Sequence, residues 1–325
     1  MNFLLITLGH TGLKVSVAGL GCGGFSRLGL GTGKTEADAS ALVRRAYDLG
    51  VTLFDTAAAY GTEGAVGNGL AGLPRDKVVI ATKASITEGD KTLPPETVVA
   101  SLENSLRLLK TDHVDIFQLH GVRKEHYDYA VKTIVPALKR EQEKGKLRFI
   151  GTTEGATHDH RAEMLQLAVK DDCWDTVMLA FNMMHQNARK VLLPHTQAKR
   201  IGTFVMFAVR NIFAKPERVV AEMKELAKAG KVPHSLADDP DPLGFLVHEG
   251  GARNLTDAAY RFARHEPGMD VVLFGTGDTK HLEANIDSLN RPPLPAADRQ
   301  RMIDLFGHLL GVGLIGAVQA KPAKP

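Results

Sequence analysis

Short apolar runs rich in β-branched residues alternate along the chain with longer stretches in which apolar residues recur every three or four positions. The short runs are VSVAGLG (15–21), VTLFD (51–55), VVIATK (78–83), VDIFQLH (114–120), RFIGTT (148–153), TVMLAF (176–181), TFVMF (203–207) and VVLFG (271–275). Their length and near-continuous apolar character predict strands buried on both faces. Residues 36–49, 95–109, 129–144, 160–169, 216–229, 256–265 and 280–289 carry the helical period, and Gly50, Gly145 and Gly230 stand where helix stops are expected. Strand and helix therefore take turns throughout.

With the strand ends at Cys22, Asp55, Lys83, His120, Thr153, Ala180, Phe207 and Gly275, six successive intervals fall between 27 and 37 residues and the seventh is 68. A βα unit takes roughly 30 residues. Eight such units with doubly buried strands predict an α/β fold, a closed (β/α)8 TIM barrel rather than an open doubly wound sheet. The long interval holds an extra helix and a Pro/Asp-rich stretch, 232–251, read as an inserted loop. No compositional shift divides the chain, so one barrel domain is expected over 1–312, with 313–325 a disordered tail.

Two Gly-rich patterns in the first loop suggest nucleotide motifs and fail on spacing. Gly19-Leu-Gly21-Cys-Gly23-Gly24 satisfies G-x-G-x-x-G after a strand, but about ten loop residues intervene before a helix can start near Thr35. Gly33-Lys34-Thr35 ends like a P-loop, yet Leu28 occupies the position where the first glycine belongs. A flexible loop at the barrel mouth is the simpler reading.

Composition narrows the function classes. The 325 residues carry 40 Lys+Arg against 37 Asp+Glu, a formal charge of +3 spread without basic blocks, so there is no electrostatic footprint for nucleic acid. Two cysteines, Cys22 and Cys173, provide neither a disulfide framework nor a thiolate zinc site, and a reducing, cytoplasmic location is expected. The first ten residues lack the basic start and apolar length of a secretory signal, and the Gly-rich run 309–318 is far below the roughly 20 residues of a membrane span. A small molecule is the expected partner; nothing in the sequence sets an oligomeric state.

In a barrel of this kind, chemistry sits on the C-terminal ends of the strands and the loops that follow. Asp55 ends VTLFD, Lys83 ends VVIATK, His120 ends VDIFQLH, and Tyr60 lies in the loop after Asp55. Counting back by two gives Leu53, Ala81 and Gln118, which predicts a shared inward side. Each residue alone has a structural explanation: Asp55 a turn or cap, Lys83 a surface stem, His120 a core histidine, Tyr60 packing. Together they place a carboxylate, an ammonium, an imidazole and a phenol on one rim. A phenol titrates near 10, too high for easy proton exchange at neutrality, and a neighbouring ammonium lowers that value while a carboxylate holds the ammonium in place. Tyr60 as a general acid tuned by Lys83 and Asp55 follows.

These residues resemble the aldo-keto reductases. The likeness runs through Leu53-Phe-Asp-Thr-Ala-Ala-Ala-Tyr-Gly61, Ile80-Ala-Thr-Lys83, Asp115-Ile-Phe-Gln-Leu-His120, the opening Leu8-Gly-His-Thr-Gly-Leu-Lys-Val-Ser16, Gly145-Lys-Leu-Arg-Phe-Ile-Gly151, Phe181-Asn182 and His281-Leu-Glu-Ala-Asn285. It implies a barrel whose bottom is closed by an N-terminal hairpin, here 1–17, and an oxidoreductase that moves a hydride between a nicotinamide cofactor and a carbonyl or alcohol, whether aldehyde, ketone or sugar. NADP(H) is favoured by the resemblance and NAD(H) is left open. Asp55, Tyr60, Lys83 and His120 match the family's catalytic set. Tyr60 donates or takes the proton, and His120 orients the substrate oxygen. Asp55, Thr153, Phe207, Gly275, Thr276, Gly277, Lys280, His281 and Asn285 fall where the family binds its cofactor, with Phe207 as the stacking ring and Gly275–Thr279 at the adenosine phosphates.

The chain also departs from the family. Gly151-Thr-Thr-Glu154 replaces Gly-Val-Ser-Asn, and Met178 stands in place of a Gln, so two amides that hold the nicotinamide carboxamide are lost. Gly277 and His281 replace basic residues that pair with a 2′-phosphate, leaving Lys280 as a candidate substitute. These losses keep open a barrel that binds nicotinamide as a redox sensor or accessory protein with little turnover. A Schiff-base role for Lys83 is disfavoured by Asp55, which keeps the amine protonated. His158-Asp159-His160 has metal-like spacing but opens a predicted helix, so a cap region is the simpler reading. Glu154 and His185 lie near the rim, and Phe25, Tyr127, Phe181 and Phe213 are either pocket walls or packing.

Overall fold

A computed structural model describes residues 4–314. Strands β1 (Leu5–Thr7) and β2 (Lys14–Ser16) pair antiparallel as a hairpin. The barrel strands are β3 (Ala18–Gly21), β4 (Leu53–Asp55), β5 (Val79–Ala84), β8 (Val114–Val122), β9 (Leu147–Glu154), β10 (Thr176–Ala180), β11 (Gly202–Met206) and β12 (Val271–Phe274); a small hairpin, β6 (Thr87–Glu88) with β7 (Lys91–Thr92), lies outside it. The eight close in the order β10-β11-β12-β3-β4-β5-β8-β9, and the barrel pairs are parallel. The expected TIM barrel is what the chain forms.

Helices start and stop close to where the apolar period places them. Thr35 accepts from the Asp38 amide and Asp38 answers to the Thr35 amide, a capping box that opens the helix Glu36–Asp48. Pro95 opens Pro95–Leu109 at a position whose amide has no helical partner. The stretch expected as one helix over 129–144 contains a π turn, Ala130–Ile134, before the helix Val135–Glu143, which carries Pro136 in its first turn. After β3 the chain makes a 3-10 stretch, Arg27–Thr32, in place of the helix that a dinucleotide fingerprint requires. The insertion at 232–251 contains the short helix His234–Asp238 and a 3-10 turn, Gly244–Leu246.

Alternation along the strands divides the core. Leu53, Val79, Ala81, Ile116, Met178, Phe204 and Val271 meet inside the barrel, and Leu8, Leu13 and Val15 of the hairpin region join them, closing the bottom. Val17, Phe54, Ile80, Phe117 and Ile150 face the helices instead. Asp55, Lys83, Gln118 and His120 continue the inward set toward the opposite end, so the predicted inward side is correct. Beyond the expected boundary at 312, Leu314 is fully buried against Ala156 and Ala180. The remaining tail residues, 315–325, and residues 1–3 of the expected hairpin lie outside the described residues.

The bottom closure rests on backbone contact. Gly9, at φ +49°, approaches so near that a Cβ would lie 2.3 Å from the Gly202 nitrogen, and His10 bridges to the Arg200 carbonyl at 3.0 Å and Asp175 Oδ1 at 2.9 Å. Gly12 has a similar φ of +75° with nothing near its missing Cβ. Gly12→Ala should therefore cost only the backbone strain, about 1–2 kcal/mol. Gly9→Ala adds a clash with fixed backbone and should cost at least about 1–3 kcal/mol more. Denaturant unfolding of both variants checks this, and equal losses would mean the hairpin does not brace the barrel.

Candidate active site

β4, β5 and β8 end on the same rim, and their registers set Asp55 beside Ala81 and Lys83 beside Gln118. Lys83 is wholly buried, and its Nζ donates to Asp55 Oδ2 at 2.7 Å and to the Thr56 carbonyl at 2.8 Å. Gln118 Nε2 donates to the other Asp55 oxygen at 3.2 Å. The carboxylate is thus fixed on both sides. Burial alone would lower the Lys83 pKa, but the Asp55 carboxylate and then Tyr60 outweigh it and hold the ammonium charged beyond the ordinary lysine range.

Tyr60 comes from a 3-10 turn, Ala58–Tyr60, terminated by Gly61 at φ +67°. Its ring lies 5.0 Å from Lys83 Nζ, and its hydroxyl is 3.3 Å from His120 Nε2, the two rings meeting edge to face. Gly23 packs its backbone on the Tyr60 ring so closely that a Cβ would sit 2.5 Å from it. His120 lies in the irregularity of β8 between Leu119 and Val122, where the ladder shifts and Gly121 takes φ +62°. Such a bulge re-aims a side chain at a strand end. The four residues brought together by the sequence pattern do meet on the rim.

Their titration differs from the sequence expectation at one point. Burial raises the Tyr60 phenol, the Lys83 charge opposes that rise without overcoming it, and Asp55 adds to the rise. Tyr60 is therefore a protonated donor rather than a phenol with a depressed pKa. Burial and then the Lys83 charge lower His120 to about 4, so its imidazole is neutral at physiological pH.

The candidate cofactor residues fall into two groups. At the rim, the Thr153 hydroxyl accepts from the Gly121 amide at 2.7 Å, and Phe207, in a left-handed backbone at φ +66°, carries the Arg210 guanidinium 4.1 Å from its ring centre. Arg210 also donates to the Leu314 carbonyl at 2.7 Å. Met178 belongs to the barrel interior and offers no polar atom comparable to an amide. Glu154 is buried and accepts from the Ala180 amide at 2.6 Å; burial, with a lesser push from Asp159, raises it to about 8 against that bond. That shift favours the protonated acid at neutral pH. His185 is buried too and accepts from the Gly311 amide at 3.1 Å; burial, then His160, lowers it to about 4.

The second group lies beyond β12. Gly275, Thr276, Gly277, Asp278 and His281 line a cavity of about 430 Å³ together with Ser26, Thr32 and Lys34 from the first loop. It opens at the N-terminus of the helix Thr279–Asn290, on which Asn285 follows His281 by one turn. Lys280 is exposed and not part of this lining; the cation that enters is Lys34, whose Nζ donates to the Gly277 carbonyl at 2.5 Å. Lys34 was visible in the sequence only as the end of a failed P-loop match. Among the remaining candidates, Asp159 accepts from the Met164 amide at 2.9 Å, but the helix Glu163–Ala168 has Ala162 at its N-cap with no side-chain cap bond, so 158–160 precede the cap rather than form it. Among the described residues no group of three His, Cys, Asp or Glu could hold a metal ion, and no helix is long and apolar enough to cross a membrane. Tyr127 and Phe213 are buried packing residues, Phe181 stacks on Phe262, and Phe25 stands 80% exposed at the mouth.

Comparison with known proteins returns the same architecture. The profile of the Aldo/keto reductase family matches residues 19–305. An L-galactose dehydrogenase of Arabidopsis thaliana is 40% identical over 155 residues, which is 46% of this chain and 48% of that protein; the match spans about half of the relative's length. An aldo-keto reductase of Bacillus halodurans in its holo form superposes with a TM-score of 0.72 at 20% identity, covering 94% of this chain and 97% of the other. An aldo/keto reductase of Klebsiella pneumoniae solved with NADP and acetate gives 0.68 at 21% identity, covering 94% and 95%.

Glu154 generates a pH-dependent prediction. A buried acid that binds its proton more tightly when folded contributes stability at low pH, and that contribution drains as pH rises from the ordinary value near 4.5 to about 8. Glu154→Gln stays neutral at every pH. The wild type should lose stability relative to this variant across that window in urea melts, and parallel curves would show that the carboxyl is already ionised.

Proposed function

The chain belongs to the aldo/keto reductase family, and from that premise we propose that it catalyses reversible hydride transfer between a nicotinamide dinucleotide and a carbonyl or alcohol, with Tyr60 as general acid and base. The observation that carries this reading is the contact between the Tyr60 hydroxyl and His120 Nε2 at 3.3 Å, directly beside the buried Lys83–Asp55 pair. The bound nicotinamide supplies or accepts the hydride. In reduction, Tyr60 gives its proton to the carbonyl oxygen as that oxygen gains charge. The phenolate left behind faces Lys83, whose charge Asp55 secures, so the ammonium stabilises the product of proton transfer more than the resting phenol. His120, neutral, hydrogen-bonds and orients the same oxygen without competing for the proton. In oxidation the proton moves from the alcohol to Tyr60.

The fit of a dinucleotide is uneven along the groove. In this architecture the loop after the last barrel strand is the usual cofactor end of the rim, and Gly275–His281 line the cavity there. At the other end, Thr153 keeps a hydroxyl hydrogen and Glu154 a carboxylic acid that resembles the missing amide in shape. The sequence resemblance favours NADP(H), yet the basic residues expected for its 2′-phosphate are absent. The substrate class is a small carbonyl or alcohol, and the dehydrogenase relative makes aldoses the first compounds to test.

The replaced carboxamide holders also support a second reading, a nicotinamide-binding barrel with little turnover. Steady-state assays with aldoses and simple aldehydes separate the two. Tyr60→Phe should lower kcat by about 10²–10⁴-fold while leaving cofactor affinity unchanged, since it removes only the transferred proton. Full activity in that variant would end the assigned mechanism. Oxidation of one equivalent of bound cofactor without further turnover would favour the second reading.

A further inference from the structure

The adenosine end of the groove carries a charge of the wrong sign for a phosphate. Asp278 caps the helix Thr279–Asn290, and its Oδ1 accepts from both the Lys280 amide at 2.8 Å and the His281 amide at 3.0 Å. Two of the donors that a helix N-terminus would turn to an anion are thereby occupied by a carboxylate of the chain itself. The Thr276 hydroxyl is drawn into the same turn, accepting from the Asp278 amide at 3.0 Å. The His281 amide bond, the Lys280 amide and the charges of His281 and Lys34 hold the Asp278 carboxyl below the ordinary range, so it stays ionised. Its Oδ2 carries no hydrogen bond among the described residues.

Lys34 and His281 line the cavity beside Asp278, and Lys280 stands exposed on the same turn outside the lining. Position 277 cannot bear a basic side chain, because a Cβ there would lie 2.6 Å from the nitrogen and from the Cα of Gly29, where the first loop leans on the turn. Lys34 enters the cavity but donates to the Gly277 carbonyl and acts on Asp278. A 2′-phosphate brings about −1.5 to −2 charges at neutral pH. A ribose with both hydroxyls free brings donors for the open Asp278 oxygen.

Resting on the dinucleotide reading above, we propose that Asp278 is the specificity-determining residue of the cofactor site: it receives the adenosine ribose hydroxyls, repels a 2′-phosphate, and makes the protein select NAD(H) over NADP(H). This reverses the preference suggested by resemblance alone. The selection operates on binding, before any chemistry.

Calorimetric titration of the full chain with NADH and with NADPH, at one fixed ionic strength, tests it. The wild type should bind NADH about tenfold tighter or more. Asp278→Asn keeps a side-chain oxygen able to cap the helix and removes the charge. It should narrow the ratio about tenfold, mainly by gaining affinity for NADPH. Equal or tighter NADPH binding by the wild type, or an unchanged ratio in Asp278→Asn, overturns the inference while leaving the hydride-transfer reading intact. Binding of neither dinucleotide overturns both.

Discussion

A lysine ammonium with no exposed surface is a costly object, and the rim is built around keeping it. Lys83 survives in the barrel because Asp55 and the Thr56 carbonyl receive its hydrogens, and Asp55 in turn is steadied by Gln118. Removing either partner would strand an uncompensated charge in a dry interior. The pair needs strands whose ends lie level, and it presents Tyr60 with a cation that cannot drift away. Fold and chemistry meet at that contact: the closed barrel supplies the enclosure, and the enclosure keeps the field of the ammonium from being screened by water.

Much of this was legible along the chain because two signals coincide. Strand periodicity located the barrel, and the last polar residue of each apolar run located Asp55, Lys83 and His120. Tyr60 required only that a loop five residues long return to the rim. The sign of its pKa shift was not legible, since a neighbour's charge can be named from sequence but the depth of burial cannot. Leu314 was missed for a related reason. A Gly-rich apolar tail looks the same whether it is loose or seated, and its seat, Ala156 and Ala180, is distant in sequence. Lys34 was hidden in a loop whose path across the barrel mouth depends on the left-handed residues Arg27, Leu28 and Gly29. No local pattern encodes such a path.

The rim is also a place where polar groups of the chain stand in for groups a ligand would otherwise meet. Glu154 gives a buried carboxyl, its proton favoured by burial, at a position matched elsewhere by an amide, and Arg210 lies on the Phe207 ring while reaching the Leu314 carbonyl. Asn182 reaches the same terminal segment through the Val312 carbonyl at 3.3 Å. The turn around 312–314 is thus tied to two rim loops, and the geometry of the mouth depends on residues more than a hundred positions apart.

The close approach of Gly29 and Gly277 bears on how such a barrel can change over evolutionary time. A Cβ at 277 would fall on the Gly29 backbone, so that position cannot acquire a side chain while the first loop keeps its present path, whereas a Cβ at Gly29 would meet the Lys34 side chain from a left-handed backbone at φ +101°. A substitution that would be neutral or useful in a relative with a shorter first loop is sterically closed here, so the effect of a mutation at 277 depends on the genotype of the loop at 24–34. The order in which changes are made then matters, with loop remodelling having to precede any new side chain at 277, a dependence between residues about 250 positions apart.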